Sequence, residues 1–151
     1  MEKLSAMLVQ DAIVLDLKAQ DKIGVIRELA ELLIKQAMIA NPEEFYSAIL
    51  KRENLESTGI GQGIAIPHAR TKAVKQLVLA FGRSLSGVDF NSLDGKPCYD
   101  IFLIAAPEEK KSEYIATLAR LSKFLRREEV RTDLASARSA EEVIEIIKRY
   151  E

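Results

Sequence analysis

The sequence predicts an α/β fold: one domain, residues 1–151, with a central mixed β-sheet flanked by helices on both faces. Short apolar runs at 77–82 and 101–106 are bounded by turn residues, which is typical of strands covered on both faces. Amphipathic segments with helix-start signals lie on either side of these runs. No repeat, low-complexity segment or Pro/Gly/Ser-rich linker divides the chain, so one folding unit is expected.

The first third of the chain predicts one strand and two helices. Residues 12–17 (AIVLDL) favour a short strand, and Asp21 can cap a helix whose apolar residues recur at nearly helical spacing. A second helix begins at 41–44 (NPEE), which combines a capping Asn, a Pro at the first helical position and acids at the positive end of the helix dipole. This helix is expected to carry Arg52 and to end near Asn54.

The last third of the chain is predicted to be helical. A turn at 94–97 (DGKP) precedes the second apolar run, and Pro107 ends it. One helix starts near Lys110, and Ser139 with Glu142 forms a capping box ahead of the final helix. The apolar residues that these helices present are Ile115, Leu118, Leu121 and Leu125, then Val130 and Leu134, then Val143, Ile144, Ile146 and Ile147.

Composition and charge exclude several classes of function. The net charge of −1 provides no overall field that would attract nucleic acid or an anionic membrane. The single cysteine, Cys98, cannot form an internal disulfide and fits a reducing compartment. The sequence contains no basic segment followed by a long apolar run and no stretch long enough to span a membrane. We therefore expect a cytoplasmic protein with no direct membrane insertion and no nucleic-acid partner.

His68 is the only histidine, and its context favours a chemical role over that of an ordinary surface or core residue. Pro67 fixes its own φ and biases Ile66 toward extended geometry. The imidazole therefore extends from a stiff segment of backbone that follows a loop rich in small residues, 57–63. We expect this side chain to be presented to solvent rather than buried.

The glycines of this loop admit two interpretations. Gly59, Gly61 and Gly63 either allow a tight turn with positive φ or bring backbone N–H groups close to a phosphate. They do not fit a Walker A loop, because no Gly-Lys-Ser/Thr follows, nor the dinucleotide fingerprint, because Ile64 follows them and no strand clearly precedes them. Nucleotide binding is therefore disfavoured, and no cofactor or metal is expected.

Residues 52–70 (RENLESTGIGQGIAIPHAR) resemble the active-site signature of type-2 enzyme IIA domains. This is the fructose–mannitol class of the bacterial sugar phosphotransferase system, and it includes a nitrogen-regulatory branch. The resemblance covers nearly the whole chain, because later segments follow the family's order and spacing. These segments are 80–84 (AFGRS), 87–90 (GVDF), 94–95 (DG) and 102–107 (FLIAAP).

The resemblance implies a phosphocarrier whose acceptor is His68. The histidine at the family's Pro-His position accepts phosphate at ring Nε2 from the histidine phosphocarrier protein and passes it to a cysteine of an enzyme IIB domain. An ordinary histidine pKa of about 6.5 supplies the neutral imidazole that this chemistry needs. Arg52 matches the family's phosphate-side arginine, whose planar guanidinium offers paired donors. The alternative for Arg52 is a solvated cation at a helix end.

Other residues of the signature have less defined roles. Ser57 and Thr58 either donate hydroxyls to the phosphoryl group or stabilise the turn. Arg70 and Arg83 are expected to steer an acidic partner surface or to be ordinary surface charges. Cys98 does not fit the accepting cysteine of an enzyme IIB domain and is expected to pack in or beside a strand.

Tyr114 marks a departure from the family pattern. The family often places a second histidine on the helix that follows the strand ended by Pro107, and Tyr114 stands at that position. Its hydroxyl either donates a hydrogen bond to phosphate on His68 or the ring simply fills the helix face beside Leu118 and Leu121.

Three functions are compatible with these features. The first is a sugar-pathway phosphotransferase subunit that passes phosphate from the histidine phosphocarrier protein to an enzyme IIB domain. The second is a nitrogen-type regulatory protein, whose phosphorylation state controls its binding to a regulated transporter or kinase. The third is an α/β binding domain that has lost phosphotransfer, and the intact His68 and Arg52 argue against it.

Overall fold

A computed structural model describes residues 2–151, which form six strands and six helices. The strands are β1 (Leu8–Val14), β2 (Gly59–Gly61), β3 (Ile64–Ala65), β4 (His68–Arg70), β5 (Val78–Val88) and β6 (Cys98–Ala106). The helices are α1 (Leu4–Met7), α2 (Lys22–Lys35), α3 (Pro42–Leu55), α4 (Lys111–Leu125), α5 (Glu128–Ser136) and α6 (Ala140–Tyr150). No helix in this part of the chain is long and apolar enough to cross a bilayer.

The strands form one mixed sheet in the order β1-β5-β6-β3-β2, and β4 also pairs with β6. β1 runs parallel to β5, β5 antiparallel to β6, and both β3 and β4 parallel to β6. Side chains of β6 alternate between two cores: Ile101, Leu103 and Ala105 face α2 and α3, while Phe102 and Ile104 face α1, α4, α5 and α6. The predicted α/β architecture with helices on both faces is confirmed.

The predicted helix starts are confirmed because their signals are local. Asp21, Asn41 and Ser139 each accept a hydrogen bond from the backbone N–H three residues later, at 2.8, 3.2 and 3.1 Å. At the last of these caps the Glu142 carboxylate accepts from the N–H of Arg138 at 2.7 Å, one residue before the capping serine. The capping residues therefore satisfy backbone donors that the helices cannot pair internally.

Three strands differ from the sequence prediction in their bounds, and one of them, β6, begins at Cys98, three residues before the apolar run at 101–106. β1 begins at Leu8 and ends at Val14, whereas the apolar run predicts 12–17. β1 is an edge strand, so its polar residues at 10–11 can stay exposed. A prediction based on hydrophobicity therefore does not include them in a strand. β5 continues to Val88, beyond its apolar run, because antiparallel pairing with β6 holds the polar residues that follow.

The glycine-rich segment forms a hairpin of β2 and β3 rather than an open loop. Its turn has positive φ at Gly61 (94°), Gln62 (59°) and Gly63 (80°). The N–H of Gln62 donates to the Asp94 carboxylate at 3.1 Å. These two glycines therefore serve the left-handed backbone of a tight turn, the first of the two interpretations.

β3 and β4 lie one after the other along the same edge of β6. Ile64 is opposite Asp100 and His68 is opposite Ile104, so the register is unchanged on the two sides of Pro67. Pro67 interrupts the ladder because it has no N–H to donate. This arrangement fixes the position of His68 beside the central strand of the sheet.

Candidate functional site

His68 is the first residue of β4 and is only 6% exposed, so the expectation of a solvent-presented loop residue is wrong. Two interactions account for the burial. The backbone of β4 pairs with β6, and the Tyr114 ring of α4 lies with its centroid 5.7 Å from that of the imidazole, inclined by 59°. The histidine is therefore held in a strand of the sheet, packed against α4, rather than on a free loop.

A backbone hydrogen bond fixes the tautomer of His68. Nδ1 lies 2.7 Å from the carbonyl oxygen of Ile66, and a carbonyl can only accept, so Nδ1 carries the proton and Nε2 the lone pair. Burial lowers the pKa of His68, and the positive charge of Arg52 lowers it further, against the opposing effects of the Ile66 hydrogen bond and the Glu53 charge. The imidazole is accordingly neutral near pH 7.

The Nε2 atom of His68 is open to solvent despite the burial of the ring. It has no hydrogen-bond partner within residues 2–151. Every buried side-chain nitrogen or oxygen atom in that range has a partner, so an unpartnered Nε2 must be accessible. The lone pair of the neutral imidazole therefore lies on an atom that solvent can reach.

Tyr114 packs beside the His68 ring. Burial raises the pKa of its phenol to about 12, while the charges of Arg52 and Arg70 lower it. The hydroxyl has no hydrogen-bond partner within the described chain, and Tyr114 is partly exposed. The structure thus brings a neutral phenol donor next to His68, at the position that the sequence resemblance marks.

Arg52 lies in the last turn of α3. One guanidinium nitrogen, Nη1, donates to the Glu56 carbonyl at 2.8 Å, which satisfies a carbonyl at the helix end. Its charge also lowers the pKa values of His68 and Tyr114. Arg52 therefore combines the helix-end contact with a position close enough to act on both rings.

The Ser57 and Thr58 hydroxyls are both engaged within the chain. Ser57 donates to the carbonyl of Phe90 and accepts from the N–H of Gly59 at 3.0 Å. Thr58 is buried and donates its hydroxyl proton to Glu53 at 2.5 Å. These contacts match the turn-stabilising alternative, and donation to a phosphoryl oxygen by either residue requires breaking them.

Glu53 is a buried acid close enough to His68 to influence its pKa, and the sequence did not predict it. It is 3% exposed, and its carboxylate accepts from the N–H and the hydroxyl of Thr58 and pairs with Lys22 at 3.4 Å. A signal was present: Phe45, Ile49 and Glu53 recur every four residues, so an acid occupies the position at which the apolar face of α3 would continue. A charge in such a position has partners inside the protein.

The two arginines treated as surface charges differ in the structure. Arg70 follows His68 on β4, is partly exposed, and donates to the carbonyl of Glu108. Arg83 does not fit the expectation of a partner-steering or ordinary surface charge. Its side chain lies on the sheet face that packs against α5. From there it donates to the Leu15 carbonyl at 3.1 Å and to three carbonyls at the end of α5. These carbonyls belong to Leu134 (2.9 Å), Ala135 (3.3 Å) and Ala137 (2.7 Å).

Asp100 lies opposite Arg83 in the β5–β6 pair and is 7% exposed. Burial raises the pKa of its carboxyl to about 6, and the charges of Arg83 and Arg131 oppose that rise. Arg83 therefore has two structural functions: it satisfies carbonyls at the end of α5 and it stabilises a buried carboxylate.

Cys98 packs at the start of β6, as predicted. It is fully buried, with its Sγ 3.2 Å from the Ser92 hydroxyl oxygen. Burial raises the pKa of the thiol, so it is protonated and unreactive at neutral pH. Among the described residues, no three His, Cys, Asp or Glu side chains gather as a metal site would require.

The arrangement around His68 favours nucleophilic chemistry on an anionic group. Nε2 offers a lone pair to solvent, Arg52 provides positive charge, and Tyr114 provides a neutral O–H donor. Phosphoryl transfer depends on positioning and on donors around the phosphoryl oxygens. Arg52 and Tyr114 are the groups near His68 that carry a positive charge and an O–H donor.

Comparison with known proteins gives a consistent family. Residues 6–150 match the family described as phosphoenolpyruvate-dependent sugar phosphotransferase system, EIIA 2. The chain is 42% identical over 149 residues to the fructose-specific EIIABC component of the phosphotransferase system of Bacillus subtilis. That alignment covers 99% of this chain but only 24% of the length of the relative.

Two solved structures resemble the fold closely. The nitrogen regulatory protein IIA-Ntr from Neisseria meningitidis superposes with a TM-score of 0.87 at 35% identity, covering 95% of this chain and 97% of that one. Enzyme IIAMTL from Escherichia coli, in complex with phosphorylated enzyme IIBMTL, gives a TM-score of 0.78 at 30% identity. That alignment covers 92% of this chain and 95% of the other.

Proposed function

Because this chain belongs to the type-2 enzyme IIA family of the phosphoenolpyruvate-dependent sugar phosphotransferase system, we propose that it carries a phosphoryl group on Nε2 of His68. The donor is the histidine phosphocarrier protein and the acceptor is a cysteine of an enzyme IIB domain. The observation that carries the proposal is the 2.7 Å contact between Nδ1 and the Ile66 carbonyl, which leaves the Nε2 lone pair open.

The first transfer uses that lone pair. Nε2 attacks the phosphorus of the donor's phosphohistidine, a new N–P bond forms, and the electron pair of the broken N–P bond returns to the donor ring. Nδ1 keeps its proton, so the phosphorylated ring becomes positively charged, and the Ile66 carbonyl stabilises that charge. Arg52 and Tyr114 provide donors for the phosphoryl oxygens.

The second transfer reverses this charge. The thiolate of the enzyme IIB cysteine attacks phosphorus, an S–P bond forms, and the N–P electron pair returns to Nε2. His68 is then neutral again with its proton still on Nδ1. A positively charged ring is a good leaving group, so the same hydrogen bond that fixes the tautomer also favours release. The IIAMTL complex with phosphorylated IIBMTL supports an acceptor of this class.

A nitrogen-type regulatory role is a second candidate function. The similarity to the IIA-Ntr protein of Neisseria meningitidis favours it. In this role the same phosphoryl group on His68 controls binding to a transporter or kinase instead of moving on to a sugar. The two functions share the first transfer and differ in the second.

A labelling assay tests the proposal. Phosphoenolpyruvate, enzyme I and the cognate phosphocarrier protein are expected to transfer one phosphoryl group to the chain, in a bond stable to alkali and labile to acid. Addition of an enzyme IIB domain with its sugar then discharges the label in the transport role, while a regulatory protein retains it. A wild-type chain that takes up no label contradicts both functions.

Arg52→Lys is expected to fold normally but to accept phosphate more slowly. Lysine keeps the charge but loses the planar paired donors of the guanidinium. Loss of one donor to developing charge costs ~2.7–4 kcal/mol, and we expect the lower end, about a 100-fold fall in the single-turnover rate. Arg138→Lys, at an exposed arginine, is the matched control. A wild-type rate in Arg52→Lys removes this residue from the site.

Tyr114→Phe is expected to shorten the lifetime of the phosphorylated chain or to slow transfer by about threefold to tenfold, as befits one hydrogen bond of ~0.5–1.5 kcal/mol. The phenol has a pKa of about 12 and stays neutral, so wild type has no titration from this group near pH 7. Tyr114→His is expected to add a titration to the transfer rate between about pH 5 and 8. Tyr99→Phe, at an exposed tyrosine, is the control. If Tyr114→Phe matches wild type in both measurements, the ring only fills the helix face.

A further inference from the structure

A buried carboxylate in α3 is connected to His68 by successive hydrogen bonds through the backbone of two residues, Thr58 and Ile66. Glu53 accepts from the backbone N–H of Thr58 at 2.9 Å and from its hydroxyl at 2.5 Å. On its other side Glu53 pairs with Lys22, the first residue of α2, at 3.4 Å. The carboxylate therefore holds the backbone of the segment between α3 and β2 in one position.

The line continues from that segment into the site. The carbonyl of Thr58 accepts from the N–H of Ile66 at 3.0 Å. The carbonyl of Ile66 is the acceptor that binds Nδ1 of His68 at 2.7 Å. Thr58 and Ile66 each donate through the N–H and accept through the C=O, which belong to adjacent peptide groups of the same residue. The position of the Thr58 backbone therefore influences the position of the Ile66 carbonyl through these hydrogen bonds and the short backbone links between them.

Stability alone does not explain a glutamate at position 53. Burial of a carboxylate is costly, and a buried ion pair is often no better than apolar residues of similar volume. The position is the continuation of an apolar face, where a hydrophobic side chain would pack against Phe45 and Ile49. The acceptors that it offers to Thr58 are what an apolar side chain cannot replace.

We propose that Glu53 is a positioning residue that holds His68 as the Nδ1–H tautomer, with Nε2 aimed at the reactant, by way of Thr58 and Ile66. This inference rests on the proposed function of His68. The charge of Glu53 has a second effect once the ring is phosphorylated. The ring is then positive, and the nearby carboxylate stabilises it without contacting the phosphoryl group.

Glu53→Met tests the proposal, because methionine has similar length and no strong acceptor. In the folded variant we expect ¹⁵N NMR to show His68 as a mixture of tautomers, with Nε2–H present, and the phosphorylation rate to fall. The expected fall is about 10- to 100-fold, the range for partners that orient metal-binding histidines. Glu56→Met changes an exposed glutamate at the end of the same helix and is expected to match wild type in both.

Glu53→Gln keeps one acceptor for the Thr58 N–H and removes only the charge, so it remains informative if the methionine variant does not fold. For Glu53→Gln we expect a smaller fraction of the Nε2–H tautomer and a smaller fall in phosphorylation rate than for Glu53→Met. If the folded variants retain the wild-type tautomer and rate and lose only thermal stability, Glu53 is structural and the proposal is overturned. The tautomer is measured without phosphorylation, so this failure is distinct from a wild-type chain that takes up no phosphate.

Discussion

His68→Ala is expected to abolish phosphorylation completely. The variant has no imidazole anywhere, because His68 is the only histidine of the chain. The measurement is transfer from phosphoenolpyruvate through enzyme I and the phosphocarrier protein, followed by intact-mass analysis. Any alkali-stable, acid-labile phosphoryl group that remains on the variant would contradict an acceptor role for this residue.

The same variant is expected to lose some stability. The ring is 6% exposed and donates a hydrogen bond to the Ile66 carbonyl, so its removal costs about 1–2 kcal/mol in free energy of unfolding. A solvent-presented histidine would cost almost nothing, which is what the sequence predicts. Thermal unfolding of the variant therefore distinguishes the buried position from the presented one, and circular dichroism confirms that the loss of labelling is not a loss of fold.

Arg83→Met is expected to lower the free energy of unfolding by about 2–4 kcal/mol at pH 8 without changing the chemistry at His68. The variant keeps the apolar stem and loses the charged donors to the carbonyls of Leu15 and of the end of α5. Denaturant unfolding measures the loss. Arg138→Met, at an exposed arginine near the same helix end, is expected to stay within about 0.5 kcal/mol of wild type.

The loss in Arg83→Met is expected to depend on pH because of Asp100. Its folded-state pKa is raised to about 6, so its proton stabilises the folded state at low pH, and this stabilisation is lost as pH rises through 6. Above that pH the carboxylate is charged and Arg83 opposes the cost, while below it the carboxyl is neutral and needs no cation. The destabilisation by Arg83→Met should therefore be larger at pH 8 than at pH 5. An equal loss at both values would show that Arg83 acts only on the carbonyls.

Local signals in the sequence predict the helix starts. The bounds of the strands are harder to predict, because they depend on pairing with residues far along the chain. Asp21, Asn41 and Ser139 act on backbone groups three residues away, so their effect is visible in a short window. The extents of β1 and β5 depend instead on neighbours far along the chain, which hold polar residues inside strands. Hydrophobicity alone does not contain that information.

The sequence predicts which residues form the candidate site, but not the contacts that hold them in the fold. The ordered string at 52–70 predicts His68 and Arg52 as site residues, and the resemblance predicts Tyr114, whose ring lies beside the imidazole in the structure. The burial of His68 depends on pairing of β4 with β6, and the role of Arg83 depends on the end of α5, which is distant in sequence. Both arise from tertiary contacts that no local pattern encodes.

The linkage of phosphorus to the ring tests the central claim most directly. Wild-type protein labelled with ¹⁵N and phosphorylated in the assay above is examined by ¹⁵N and ³¹P NMR. The hydrogen bond from Nδ1 to the Ile66 carbonyl predicts that phosphorus couples to Nε2 of His68 while Nδ1 stays protonated. Phosphorus on Nδ1, or on any residue other than His68, would contradict the account.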